Sequence, residues 1–579
     1  MSIDSEAPER KHIALRILLA VIATPIALFA LNVGDFFQDF LVDFLTGNGF
    51  ADDTFMYVWP YISRDVAAVF SNDLLAEYLQ TAQAPQGYDM FMAFVGKHVD
   101  IRIAAIAIGV FLYAIVFLFA LRTAYLMAGM PGAVCTAFIL LGSVYLLNFM
   151  NGALPRSFGP PLIAMTLYGL VSGRLFYVIV STILGTLFYY MAGIVAGLSL
   201  LIYCLLPPGW RPATADLSLG RRLTMLAITG AVSLVILGSS VTRDHGFGAV
   251  VDPANYDAFP EAGPEGRYWF QWNGVVADMA DIAMSTFDTW ARQGAEGSNP
   301  LRAFYFSMDR WADALRTELG LALLVALGIV VALSPRRDTA GVLTVVFASS
   351  LLYVAAVAAF PLLFFPTRFF QAVIPVVIAL MVAWAGRRLF VMLRPSVSDV
   401  TQAAVLVLAV SLVLIATGRP QWARLVTFSE ADRAVFAFIR DLPEDALIAG
   451  WPRDRVIDAV PYLGERSVLL SYETHQGFRE DFILLTRERM QTVIQALVVG
   501  DADAVRVLRD RFDVTHVVIN RDILPGQDLS YFEPFQTTLD AIEDRGGVEL
   551  LRSGAAGPIV YDRDPFFIVE LDPVSGRAR

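Results

Sequence analysis

The sequence predicts a polytopic α-helical membrane protein of about 11 transmembrane helices that ends in a C-terminal extracytoplasmic α/β domain. Three observations predict it. The 579-residue chain is 56% hydrophobic and only 17% charged, whereas soluble domains carry roughly a quarter charged residues. Apolar runs recur at a length that crosses roughly 30 Å of hydrocarbon, and arginines mark the connections between them. Near residue 420 the composition changes, and short apolar runs begin to alternate with helical periodicity.

The spans follow in order. The first covers 13–32, and Arg10, Lys11 and Arg16 flank its start. By the positive-inside rule the N-terminus is therefore cytoplasmic. No small-residue cleavage site follows, so the segment reads as a retained helix rather than a signal peptide. Residues 33–100 form a large outer loop. It holds ten acidic residues but only Arg64 and Lys97 as basic ones, and its apolar positions Phe36, Phe37, Phe40, Leu41 and Phe44 suit an interfacial amphipathic helix. Spans are expected at 101–121, 134–150 and 160–171. The run 175–206 is too long for one helix and divides near 190–193 into two spans. Further spans cover 223–240, 321–334, 341–360, 369–385 and 400–417, with a second large outer loop at 241–319. Arg122, Arg174, Arg211, Arg221, Arg222, Arg336, Arg337, Arg387, Arg388 and Arg394 all fall on the inner side of this scheme. Charge and parity together give a multi-pass protein of the cytoplasmic (inner) membrane, N-terminus in, with the tail on the extracytoplasmic or periplasmic side.

The division is thus a transmembrane domain, 1–420, and a soluble domain, 421–579. In the tail, helices are expected over 431–440, 480–499 and 501–512. Strands are expected over 446–450, 467–470 and 514–520, with shorter ones at 548–551, 558–561 and 566–571. No glycine-rich phosphate loop occurs, so nucleotide binding is not expected. His516 falls inside an apolar strand and reads as a core residue.

Composition also excludes. A net charge of −12 argues against a nucleic-acid partner. Cys135 and Cys204 both lie in apolar runs, which leaves no disulfide framework and no cysteine metal site. The five histidines show no helical metal-ligand spacing.

Chemistry concentrates in the first outer loop, Gly49-Phe-Ala-Asp52-Asp53-Thr-Phe-Met-Tyr57-Val-Trp59-Pro-Tyr61. A carboxylate at a membrane surface can act as general base on a hydroxyl or help hold a divalent cation. Tyr57, Trp59 and Tyr61 suit sugar stacking or interfacial anchoring. An ordinary solvated acidic turn would also read this way. Arg368, between aromatics at the outer mouth of a late span, can form paired bonds to a phosphate; a snorkelling arginine is the plainer alternative. Arg156 is similar. His245, in Arg243-Asp244-His245, and Glu473 and His475, in Tyr472-Glu473-Thr474-His475, are further candidates for substrate binding, with loop polarity as the plainer reading.

These residues carry a resemblance to the GT-C superfamily of integral-membrane glycosyltransferases. The stretch from Asp52 to Tyr61 resembles the Asp-Asp-x-x-x-Tyr type of first outer loop. Thr367-Arg368-Phe-Phe-Gln-Ala-Val-Ile-Pro375 is similar to a late-helix Arg…Pro segment. Leu508-Arg-Asp-Arg-Phe-Asp-Val-Thr-His-Val-Val-Ile519 resembles a helix–strand unit in the soluble tails of related bacterial membrane proteins. No Trp-Trp-Asp motif occurs in the tail, a departure from the oligosaccharyltransferase branch that argues against N-linked protein glycosylation. The resemblance implies a polyprenyl-phosphate-linked sugar as donor and a glycan, lipid or protein of the cell envelope as acceptor. Asp52 or Asp53 would be the base of an inverting transfer, and Arg368, with Arg156, would bind the leaving phosphate. If a metal takes part, Mg or Mn on Asp52 and Asp53 is the expectation. Two other classes compete: a transporter or flippase of a lipid-linked glycan, and a non-catalytic scaffold of envelope assembly. Transport predicts ionisable groups deep in the spans and internal repeats. The spans are nearly free of charge and no repeat is visible.

Overall fold

The computed structural model describes residues 50–51, 53–62, 69–70, 73–211, 217–241, 246–267, 274–287, 289–290, 316–360, 365–393, 397–417, 420–421, 425–426, 428–524, 529–543 and 545–571. The expected first span, the amphipathic stretch 36–44, Asp52 and the Arg243-Asp244-His245 group lie outside the described residues. The chain is mostly helical and divides into two compact units. One comprises Met1–Phe50, Ile108–Val241 and Trp272–Leu425; the other comprises Ala51–Ala107, Thr242–Gln271 and Val426–Arg579.

The first unit is built of apolar helices. The long helix Ile101–Gly142 is interrupted at Gly129, with φ 65° and ψ −161°, just before Pro131. Only glycine takes that conformation without a steric cost, and proline then suits the opening turn of the next helix. The turn expected at Arg122 thus falls seven residues later, and Arg122 is helical. The run 175–206 does break: Leu175–Phe188 and Tyr190–Leu205 are separated by an extended Tyr189, with φ −156° and ψ 95°. A Cβ on Gly185 would stand 2.3 Å from the Gly193 Cα. Glycines at both positions let the two helices meet backbone to backbone.

Leu219–Val241, Arg316–Ala332, Arg336–Ala358, Ile374–Leu393 and Asp399–Thr417 continue the unit. Val275–Ser285 is helical as well and lies in the stretch read as outer loop. It packs against Arg316–Ala332, where a Cβ on Gly320 would come 2.5 Å from the Ala280 carbonyl. Its Ala/Met/Ile-rich sequence buries one face there, so 241–319 is not polar loop throughout. Among the described residues, four helices are long and apolar enough to cross a membrane, and four further apolar helices are shorter. Large apolar side chains such as Phe111, Leu234, Val235 and Phe347 are exposed. Such surface suits lipid contact and would be unfavourable in water.

The second unit carries the α/β fold. A five-stranded sheet is formed by β1 (Leu447–Ala449), β2 (Ser467–Val468), β3 (His516–Asn520), β4 (Ile559–Arg563) and β5 (Phe566–Glu570), in the order β2-β1-β3-β5-β4. The first three are parallel, with Ile448 opposite both Val468 and His516. β5 runs antiparallel to β3, with Val518 opposite Ile568. His516 is buried, as expected of a core residue. The expected strand 548–551 is instead helical, Gly547–Arg552. Its apolar Val548 and Leu551 recur at three, a helical spacing, and a Cβ on Gly547 would meet the Leu497 carbonyl at 2.1 Å. The helix Glu430–Arg440 starts at a capping box between Ser429 and Asp432, which satisfies two otherwise orphaned backbone donors.

Two earlier stretches belong to this unit. Residues 73–102 join it through Tyr78 stacked on Phe482, 3.6 Å between centroids, and through Arg102 paired with Asp100 at 2.8 Å and Glu465 at 3.0 Å. Residues 246–267 join it through a bridge between Val250 and Arg479 and through the Glu261–Arg487 ion pair at 2.7 Å.

Candidate active site

In the α/β unit, the carboxyl ends of β1, β2 and β3 open on one edge, the place where ligands bind in open α/β sheets. The loop after β2 holds Tyr472, Glu473 and His475. Glu473 pairs with Arg267 at 3.0 Å, and Arg267 also donates to the His475 carbonyl at 3.0 Å. The Glu473 amide donates to the Asp458 carboxylate at 3.0 Å. Burial first, and then the Glu473 carboxylate, raise the Asp458 carboxyl well above the usual carboxylate range. Tyr472 lies between two guanidiniums, Arg267 at 4.2 Å and Arg453 at 5.0 Å from its ring. His475 is buried among Tyr531, Phe532 and Phe535. Its Nδ1 lies 3.0 Å from the Tyr531 hydroxyl, while its Nε2 is buried without a hydrogen-bond partner. Burial, and then Arg267, hold this imidazole well below its ordinary pKa, so it is neutral at physiological pH.

The acidic loop reaches the same unit. Asp53 occupies the N-cap position of the short helix Thr54–Tyr57, but its carboxylate does not cap that helix. The helix is fixed by its apolar side. Phe55 packs edge-on to Tyr462 at 5.7 Å and to Phe428 at 5.8 Å, and Met56 contacts the Gln476 amide through sulfur. The Thr54 hydroxyl and Gln476 Oε1 are buried without hydrogen-bond partners. Of the three aromatics, Tyr57 is half-buried. Trp59 is fully buried against Phe70 at 4.7 Å. Tyr61 is buried and donates to Asp89 at 2.8 Å. Trp59 and Tyr61 therefore hold the loop in place, and Tyr57 shares the short helix with Asp53.

In the helical unit, Arg156 sits in the turn Pro155–Phe158 and Arg368 opens the short helix Arg368–Gln371. They are 212 positions apart in sequence, yet both act electrostatically on the hydroxyls of Tyr145 and Tyr189. The extended break at residue 189 presents that tyrosine, whose hydroxyl is buried within reach of the Arg368 side chain. Arg156 also lies 5.8 Å from the Phe149 ring. Gly159 permits the approach: a Cβ there would stand 3.0 Å from the Ala372 side chain and 3.1 Å from the Tyr189 ring. The Arg368 helix is held by Phe370 stacked on Tyr353 at 4.8 Å and by the Ser349 hydroxyl donating to the Phe369 carbonyl. Tyr353 in turn donates to Asp278. Paired guanidiniums beside a tyrosine hydroxyl form a donor set suited to a phosphate.

Sequence reasoning missed Tyr189, Gly159, Arg267, Asp458 and Gln476. One signal was available for Asp458, a lone carboxylate within the apolar Val456-Ile457-Asp458-Ala459-Val460. The others became visible only through contacts distant in sequence. Among the described residues, no group of three or more His, Cys, Asp and Glu comes together that could hold a metal ion. With Asp52 outside the described residues, Asp53 alone of the expected ligand pair is placed.

No family model matches the chain, and no curated protein matches it. Among solved structures, it is similar to the oligosaccharyltransferase of Archaeoglobus fulgidus tethered to an acceptor peptide containing the NVT sequon. The TM-score is 0.42 at 11% identity, over 82% of this chain and 65% of that one. It is also similar to ArnT from Cupriavidus metallidurans in the apo state, with TM-score 0.37 and 12% identity over 96% of this chain and 98% of that one. The chain spans about two thirds of the oligosaccharyltransferase's length.

Proposed function

We propose that the chain is a membrane glycosyltransferase of the GT-C type that moves a sugar from a polyprenyl-phosphate donor to an envelope acceptor on the outer side of the membrane. The observation that carries this reading is the close approach of the Arg156 turn and the Arg368 helix beside Tyr189, where Gly159 admits both Ala372 and the Tyr189 ring. Two guanidiniums and a hydroxyl match a leaving phosphate on which negative charge develops, and donors fixed before the reaction stabilise that charge without reorganisation. By the resemblance, Asp53 is the base. Its carboxylate takes the acceptor hydroxyl proton while the acceptor oxygen bonds to the anomeric carbon. The bond from that carbon to the phosphate oxygen breaks, its electron pair leaves on the polyprenyl phosphate, and the configuration inverts. Tyr57, on the short helix Thr54–Tyr57, is the proposed sugar contact. Asp52 shares the acidic pair and is the alternative base. If Mg or Mn takes part, the acidic pair is where it binds.

The test is turnover of a panel of polyprenyl-phosphate sugars by the full chain in nanodiscs, with polyprenyl phosphate release as readout. The reading expects release by the wild type. It expects Asp53→Asn or Asp52→Asn to bind donor without turning over, and Arg368→Ala to lose donor affinity and rate together. Donor binding with all three variants turning over like wild type would remove these residues from the reaction.

A further inference from the structure

The arrangement at Tyr189 recurs at the other end of the same helix. Tyr189 precedes Tyr190–Leu205, and Tyr203 lies in its last turn. Fourteen positions at the helical rise separate them by about 21 Å. Tyr203 is fully buried, and its hydroxyl has no hydrogen-bond partner. It lies in the electrostatic field of two guanidiniums, Arg211 and Arg222. Arg222 is only 6% exposed. One of its terminal nitrogens donates to the Cys204 carbonyl at 2.5 Å, which caps the helix, while its Nε is buried without an acceptor. The Arg211 Nε is buried without an acceptor as well. No ion pair to either arginine occurs among the described residues.

The Tyr203 hydroxyl and the Nε atoms of Arg211 and Arg222 are thus each buried with a bond unmade. Helix capping accounts for one nitrogen of Arg222 and for nothing on Arg211 or Tyr203. A buried polar group left unpaired is destabilising, so the arrangement calls for an anionic acceptor. The surroundings indicate which. Leu219–Val241, the helix that bears Arg222, exposes Leu223, Ile228, Leu234 (71%) and Val235 (73%), and Leu205 beside the site is exposed too. A charged head held beside a long apolar face is what an amphiphile with a phosphate and acyl chains offers.

We propose that Arg211, Arg222 and Tyr203 bind the phosphate of an anionic membrane phospholipid whose acyl chains lie along Leu219–Val241. The site is separate from the one assigned to the donor phosphate and does not depend on it.

The experiment is native mass spectrometry of the full chain released from detergent, paired with its thermal midpoint. The probes are dioleoylphosphatidylglycerol, dioleoylphosphatidylcholine and inorganic phosphate. Phosphatidylglycerol should be retained and should raise the midpoint. Arg211→Gln and Tyr203→Phe leave the Arg222–Cys204 contact alone. Arg211→Gln should weaken retention about tenfold, as expected for one charge-assisted bond, and Tyr203→Phe should weaken it less. Arg221→Gln removes an equal charge from the exposed neighbouring residue and should change retention less than about twofold, since exposed charges are screened. Equal loss in Arg221→Gln would reduce the effect to diffuse charge and overturn the site. Wild-type retention in Arg211→Gln would overturn it as well. Equal retention of phosphatidylcholine would overturn the anionic preference. A midpoint rise with inorganic phosphate matching that with phosphatidylglycerol would overturn the lipid as occupant.

Discussion

The two units handle buried charge differently. In the α/β unit several arginines are closed into ion pairs: Arg267 with Glu473, Arg487 with Glu261, and Arg102 with Asp100 and Glu465. In the helical unit Arg387 pairs with Asp399, but the Tyr203 hydroxyl and the Nε atoms of Arg211 and Arg222 are buried without hydrogen-bond partners. A closed pair is satisfied by the fold and holds it. A buried donor left unpaired is satisfied only by an added partner, so the comparison separates charge that the fold closes from charge that it leaves open at Tyr203.

The comparison is broken most directly by removing the proposed base and a proposed phosphate ligand. Asp53→Asn should lower turnover by about 10²–10⁴ with donor binding kept, the range for loss of a general base; single-turnover release of polyprenyl phosphate measures it. Arg368→Lys should lower kcat by about 10², because a point charge replaces a planar fork. Full activity in the lysine variant would show that charge alone suffices there.

A smaller effect tests the closed pairs. Glu473→Gln leaves Arg267, whose side chain is 4% exposed, without its ionised partner. The neighbouring Asp458 can then ionise in its place, so the loss should be about 1–2 kcal/mol, less than the roughly 3–5 kcal/mol of an uncompensated buried charge. Asp458→Asn alone should change stability by less than about 1 kcal/mol, while the double variant should lose more than the sum. Additive losses in denaturant titrations would show that the two carboxylates do not share the role.

Two buried groups make the α/β unit sensitive to pH in opposite directions. Burial pushes Asp454 up to about 6. Its contribution to stability is complete below the ordinary carboxylate pKa and is lost as pH rises toward 6. Asp454→Asn should flatten that slope and stabilise the chain at pH 7 by on the order of 2 kcal/mol. His475 is held well below its ordinary value. Its contribution is complete above about 6.5 and is lost as pH falls through the lower folded value. Between pH 8 and pH 4 the thermal midpoint should therefore fall more, or rise less, in the wild type than in His475→Gln. A separate effect is expected at Gly159, where alanine should crowd Tyr189 and Ala372 at a cost of about 1–3 kcal/mol and raise the donor KM more than it lowers kcat.

Much of the architecture is legible in the residues themselves. The apolar runs, the break near Tyr189 and the change at about 420 follow from hydropathy and periodicity, which are sums over neighbours in sequence. The same local signals fail where a distant contact decides. Val548 to Leu551 reads as strand or helix until Gly547 packs on Leu497, and Val275–Ser285 reads as loop until Ala280 meets Gly320. Arg122 reads as a turn marker, yet the turn sits at Gly129, where a positive φ is tolerated.

For the candidate site the division is sharper. The sequence alone singled out Asp53, Arg156, Arg368, Glu473 and His475, because charge and aromatics amid apolar sequence are conspicuous. It could not say that Arg156 and Arg368 act on one tyrosine, that Glu473 is closed by Arg267, or that Met56 beside Asp53 meets Gln476. Those pairings join residues some two hundred to four hundred positions apart. Only the packing of helices and the sheet brings them together, since the strength of a buried polar contact depends on partners that local sequence does not contain.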